Sequence, residues 1–193
     1  MNSITIKKRE FEIIEIIKNN TFKCAYKNEE YYVKRYDLEK SETRSRFNSA
    51  LKLYKSAVNT AKLLLADKKQ GILAFEWLEG TLISDYILDH NFDENIYRQI
   101  YLNSYMARVM KLNLNYAPDQ WMLVGEKLFY VSDFSEEYRP ENDFTKKQLR
   151  LWFLSKELCE FYKNNGILFD KSRIKEDYAV NKEMVLMTCK YYQ

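Results

Sequence analysis

The spacing of the hydrophobic residues changes near residue 40, and this change limits what the chain can fold into. Only four glycines and two prolines occur in 193 residues, so the boundaries of its elements have to be read from periodicity. Residues 11–19 ("FEIIEIIKN") and 23–37 ("KCAYKNEEYYVKRYD") are rich in β-branched and aromatic side chains, with a short polar turn at Asn28 and Glu29. This predicts a strand followed by a hairpin, three antiparallel strands in all. From Ser41 to Ala66 the apolar positions Phe47, Leu51, Tyr54, Val58, Ala61 and Leu65 fall three and four apart, which predicts one amphipathic helix. "GILAFEWLEG" (71–80) predicts a short strand, and residues 91–112 return to helical spacing through Ile96, Ile100, Tyr105, Val109 and Leu112. "WMLVGEKLFYVSDF" (121–134) reads as two strands around a Gly125 turn; residues 143–164 read as a further helix, capped by Asp143 and stopped before Gly166. Strand-rich and helix-rich parts are segregated, so the expected class is α+β. Two lobes are expected, joined near residues 76–81: residues 1–78 with a sheet and one long helix, and residues 79–193 mainly helical.

Composition narrows the function classes. A hydrophobic content of 46% argues for a globular core. The 31 basic and 28 acidic residues leave a net charge of +3; this total makes no electrostatic case for a nucleic-acid or membrane partner, and only a local patch could do so. No run of about 18 apolar residues is present and the N-terminus lacks a secretory signal's apolar core, so a cytoplasmic location is expected. Three scattered cysteines (Cys24, Cys159, Cys189) and the single histidine, His90, give little support to a zinc site or a histidine-based triad. They are expected to be reduced thiols and an exposed, inert imidazole.

The order of elements, with a lysine ending the third strand and an acid after a late hairpin, resembles a protein kinase fold. "YYVKRY" offers Lys34 as the lysine that reaches the α- and β-phosphates in that family. The helix glutamate that would hold it falls at Ala50, in "RFNSALKLYKS". "LAFEWLEG" resembles the strand and linker between lobes, with Phe75 guarding the back pocket and the backbone of Glu76 and Leu78 meeting an adenine edge. "NLNYAPDQ" (113–120) matches the spacing of the catalytic loop H-R-D-x-x-x-x-N, with Asn115 at the base position and Gln120 in place of the magnesium-binding asparagine. "DFS" (133–135) stands where the family has D-F-G, which makes Asp133 the retained metal-binding acid. The glycine-rich loop corresponds to "KNNTFKCA" (18–25), where Lys18, Asn20 and Lys23 replace glycines. Only 58 residues follow Ser135, so the second lobe is trimmed. In this the chain is most similar to small atypical members: the RIO kinases, the KEOPS-complex kinase, and the aminoglycoside and lipopolysaccharide-sugar kinases.

The resemblance implies a degenerate site. An amide cannot take a proton from a hydroxyl, and loss of a general base costs roughly 10²–10⁴-fold in rate. Without an acid at position 50, Lys34 is held only by packing. Gln120 can still ligate Mg²⁺, but its extra methylene displaces the ligand from octahedral geometry. Asp119 is expected to be a solvent-facing loop acid. The expectation is a pseudokinase acting as a binding or regulatory module for a protein partner, retaining ATP or ADP with weakened Mg²⁺ between the lobes. Two alternatives stand beside it: an active atypical phosphotransferase acting on a protein, sugar or small molecule, and a chain with the fold alone whose cleft is filled by side chains such as Phe22, Phe75 and Phe134.

Overall fold

A computed structural model describes residues 3–192. The chain is α+β and clusters into two compact units, one running to Lys55 and including Thr60–Glu79, the other comprising Ser56–Asn59 and the chain from Gly80 onward.

The first unit is a six-stranded antiparallel sheet and one helix. Its strands are β1 (Ser3–Ile6), β2 (Arg9–Lys18), β3 (Thr21–Tyr26), β4 (Glu29–Arg35), β5 (Leu63–Asp67) and β6 (Ile72–Glu76), ordered β1-β2-β3-β4-β6-β5. The sheet curls until the β1–β2 turn reaches the end of β5, where the Lys7 N–H donates to Asp67 Oδ2 at 3.4 Å. Alternation then sends side chains to two different cores. Phe11, Cys24, Tyr31, Val33, Ile72 and Ala74 pack with Ile6 on the inner face. Tyr36, Leu73 and Phe75 pack on the outer face against Phe47 and Ala50 of α1 (Ser41–Leu53).

Several expected boundaries move. Helix α1 ends at Leu53, not Ala66, because Leu63–Asp67 is a strand laddered onto β6. The three- and four-residue spacing continues past Tyr54 by coincidence; backbone pairing with β6 along one side of the segment holds it as an edge strand, and tertiary pairing outweighs periodicity. The sheet gains β1 at one edge, and the β3–β4 turn is formed by Lys27 and Asn28, with Glu29 already in the strand. His90 is exposed as expected, stacked on the Tyr86 ring at 4.4 Å.

The second unit is built around aromatic side chains. Its elements are β7 (Thr81–Leu82), α2 (Ile83–Asp89), α3 (Glu94–Val109), β8 (Leu112–Asn113), β9 (Trp121–Val124), β10 (Lys127–Tyr130), β11 (Glu136–Glu137), α4 (Phe144–Lys147), α5 (Lys156–Asn164) and α6 (Asp177–Tyr191). Strands β10, β9 and β7 make one small sheet, and β8 pairs with β11 in a two-stranded ribbon. Trp121, Trp152, Tyr101, Tyr130, Tyr162, Phe144 and Phe153 are fully buried. Their polar atoms are satisfied: Trp152 Nε1 donates to the Tyr116 carbonyl at 2.7 Å, and Tyr162 donates to the Ser84 carbonyl at 2.5 Å. The helix expected over 143–164 is interrupted. Asp143 does cap its start, but Trp152, Phe153 and Leu154 are all buried in succession, a pattern that one helical stripe cannot produce. Ser155 then caps a new helix, accepting from Leu158 N at 3.2 Å.

Asp143 is the most heavily bonded carboxylate of this unit. Burial opposes its charge, but the side chain and N–H of Thr145 and the hydroxyls of Tyr138 and Tyr192 outweigh burial and hold the carboxyl below its ordinary range. A depressed native pKa gives stability that is present above the unfolded value, about 4, and lost as pH falls through the native value. Asp143→Asn is therefore expected to cost about 1–3 kcal/mol near neutral pH. The gap between the variant and the wild type should close on acidification below about pH 4. Urea denaturation across pH checks this; a gap that is constant with pH would contradict it.

Candidate functional site

In the first unit, Lys34 lies late on β4, its Cα paired with Thr21 of β3 and Leu73 of β6. Directly opposed residues share a face, so Lys34 stands on the outer, α1-bearing face with Tyr32 and Tyr36. Its ammonium lies 5.5 Å from the centre of the Tyr36 ring. Ala50 is fully buried and packs with Tyr36, Phe47, Leu73 and Phe75. The only acid on α1 is Glu42, in its first turn, and it pairs with Arg46 at 2.7 Å.

Phe75 is 1% exposed, wedged between Tyr54 (ring centres 4.1 Å apart) and Tyr32 (6.1 Å). The Glu76 N–H donates to the Lys62 carbonyl at 3.1 Å, and its carboxylate accepts from Lys62 N at 2.8 Å. Leu78 follows in irregular chain; among the described residues its backbone makes no hydrogen bond. Between Lys34 and this linker the same face carries Lys23, paired in register with Tyr32. Lys23 is ion-paired to Glu30 at 2.8 Å and sits 4.5 Å over the Trp77 ring. The segment matching the glycine-rich loop is a tight hairpin. Lys18 pairs with Thr21 across a two-residue turn of Asn19 and Asn20, and the Asn20 carbonyl accepts from Arg35 N at 2.8 Å. Phe22 belongs to the inner face, away from the row that holds Lys34.

The second unit gathers Asn115, Gln120 and Asp133 around Tyr130, a residue that carries no motif. The Tyr130 hydroxyl donates to the Phe134 carbonyl at 2.8 Å and accepts from the Asn115 N–H at 3.2 Å. It therefore joins the segment before β9 to the segment after β10. Burial pushes this hydroxyl up to about 12, and the charges of Asp133 and Asp119 push it the same way against the hydrogen bond from Asn115. Gln120 is tied through its carbonyl to Val131 N at 2.9 Å. Asp133 is half-buried, three residues beyond the end of β10.

The Asn115 side chain has structural work to do. Its Oδ1 accepts from Ala117 N at 3.0 Å and from Gln148 Nε2 at 2.8 Å, while Gln148 Oε1 accepts from Tyr116 N at 2.8 Å. Both lone pairs of the oxygen are occupied. Asp119 is placed otherwise than expected: its Oδ1 is buried and has no hydrogen-bond partner among the described residues. Tyr130 and Gln148 were invisible to sequence reasoning because each acts over a long separation, 33 positions in the case of Gln148 and Asn115. No group of three or more His, Cys, Asp or Glu suited to a metal occurs among the described residues.

Asn115→Asp keeps both acceptor positions and is expected to fold with near-native stability. Asn115→Ala strands the Ala117 N–H and the Gln148 amide and should cost about 1–3 kcal/mol. Thermal unfolding of the two variants side by side checks this; equal losses would contradict the assigned hydrogen bonds. No protein-family model matches the chain and a search of curated proteins gives no match, so the roles of these residues rest on their own chemistry.

Proposed function

We propose that the chain is a kinase-like module that has lost phosphoryl transfer, a pseudokinase that works by binding a protein partner and retains ATP or ADP weakly at Lys34, Asp133 and the linker backbone. Support for the kinase-like reading comes from the order of parts around Lys34: its strand is followed by one helix packed on the same face, then by a hairpin whose second strand returns beside it and leads into the linker. The observation that carries the loss of activity is Ala50. A glutamate there would orient the lysine for phosphate contact; a buried methyl group offers nothing, and a small misplacement costs about 10² in rate. Asn115 adds to this, since an amide oxygen already accepting two hydrogen bonds cannot act as a base.

Nucleotide retention is weak in this reading for two reasons. Phosphates lose the backbone cradle that glycines provide, because the hairpin is zipped up to Lys18 and Thr21. A purine lying between Lys34 and Leu78 meets the bulky Tyr32 and the ion-paired Lys23. Mg²⁺ would depend on Asp133 and Gln120 alone, where the longer amide fits octahedral geometry poorly.

One observation favours the second reading, an active phosphotransferase: the partnerless buried oxygen of Asp119 is a carboxylate in the loop that lacks its usual base. In that case Asp119→Asn would abolish transfer.

Thermal-shift titration with ATP and ADP, with and without Mg²⁺, tests the proposal. Saturating nucleotide at about 100 times its Kd is expected to add about 2.7 kcal/mol of stability. The shift should depend little on Mg²⁺ and disappear in Lys34→Ala. Absence of any shift with either nucleotide would remove the nucleotide half of the proposal.

A further inference from the structure

The near-zero balance of charge hides a concentrated patch. The β1–β2 turn carries Lys7 and Lys8, with Arg9 opening β2, and the β5–β6 turn carries Lys68 and Lys69; all five are exposed. The two turns abut through the Lys7 N–H and Asp67 Oδ2. Two acids belong to these turns, and both are engaged. Asp67 accepts from the backbone N–H groups of Lys7, Lys69 and Gln70, which hold its carboxyl below the ordinary range despite burial. Glu10 accepts from the Ser3 hydroxyl at 2.7 Å. Elsewhere Lys23, Lys40, Arg46, Arg150, Lys156, Lys175 and Lys190 form ion pairs, but none of these five cations does among the described residues. Five cations against two acids give these turns the same net charge, +3, as the whole chain.

A second observation concerns backbone strain. Lys7 and Lys8 both adopt left-handed conformations, with φ of 47° and 68°. A two-residue hairpin turn of this kind is ordinarily filled by Asn-Gly or Asp-Gly, and a residue with a Cβ is strained at each position. The chain places two lysines where the fold by itself favours asparagine and glycine. Lys27 and Lys111 are left-handed too, but among the described residues only this turn has lysine at two successive left-handed positions; the pair points to a role for the side chains outside folding.

We propose that these paired turns are a docking surface for an anionic lipid bilayer. The charge calls for a polyanion. The ammonium groups stand exposed on adjoining turns at one end of the curled sheet. The Tyr26 ring under Arg9 is stacked on Phe11 at 4.9 Å and offers no platform for a nucleic-acid base. No helix among the described residues is long and apolar enough to cross a membrane, so the contact is peripheral. It revises the expectation of no membrane partner, which rested on the total charge, and it is independent of the function proposed for Lys34 and Asp133.

Sedimentation with vesicles tests the surface. The full chain is expected to pellet with vesicles of equal parts phosphatidylserine and phosphatidylcholine but not with phosphatidylcholine alone, and to be released as salt is raised. Each basic residue near such a surface contributes roughly fivefold to binding. Lys68→Glu with Lys69→Glu should therefore weaken it by at least about 25-fold. Lys7→Asn with Lys8→Gly is the decisive pair: it should weaken vesicle binding by a similar factor while raising the midpoint of thermal unfolding, because the turn is relieved of strain. Vesicle binding without phosphatidylserine dependence, unchanged binding in both double variants, or tighter binding to a mixed-sequence DNA duplex than to the vesicles would overturn the proposal.

Discussion

Strand β4 serves two cores at once, and the first unit depends on its two-residue period. Tyr31 and Val33 go to the inner face, while Tyr32, Lys34 and Tyr36 go to the face that carries α1. Hydrogen bonds to β3 on one side and β6 on the other lock this register. A slip of one residue would exchange the two sets and put Lys34 into an apolar interior, at a cost no unit of this size could absorb. The placement of Lys34 is thus a by-product of how the sheet folds. On the helix beside it, Ala50 fills space with a methyl group and contributes packing, not charge.

In the second unit the comparable constraint is the Tyr130 hydroxyl, held between the Asn115 N–H and the Phe134 carbonyl. Ring packing with Trp121, 4.9 Å between centres, fixes the tyrosine, and the β8–β11 ribbon fixes the two segments on either side. Asn115 and Asp133 are positioned by this scaffold whatever their chemistry. The loop at 115 is now organised by amide hydrogen bonds to Gln148, which suits a rigid binding module and leaves no acceptor for a proton. Scaffold and chemistry are separable in both units.

The sequence made some of this legible. Runs of β-branched and aromatic residues marked β2 through β4, and Asp143 and Gly166 marked helix ends by local chemistry that needs no partner. Lys34 and Asp133 were singled out by the order and spacing of motifs. Failures had a common source in long-range contacts. Leu63–Asp67 reads as helix until β6 is there to pair with it. The chain break at Ser155 depends on burying Trp152, Phe153 and Leu154 together. The inward turn of Asp119, the Gln148 clamp and the basic turns joined through Asp67 all require distant segments to be brought side by side.

Under the proposed reading, the buried Ala50 and the doubly bonded Asn115 amide argue for holding a nucleotide and against transferring its phosphate. The most direct test is incubation of the full chain with ATP labelled on the γ-phosphate and Mg²⁺, followed by counting label in protein, in added acceptors and in free phosphate. Label release no faster than that of Lys34→Ala is the expected result. Transfer that is abolished by Lys34→Ala or Asp119→Asn would contradict it and establish an active phosphotransferase.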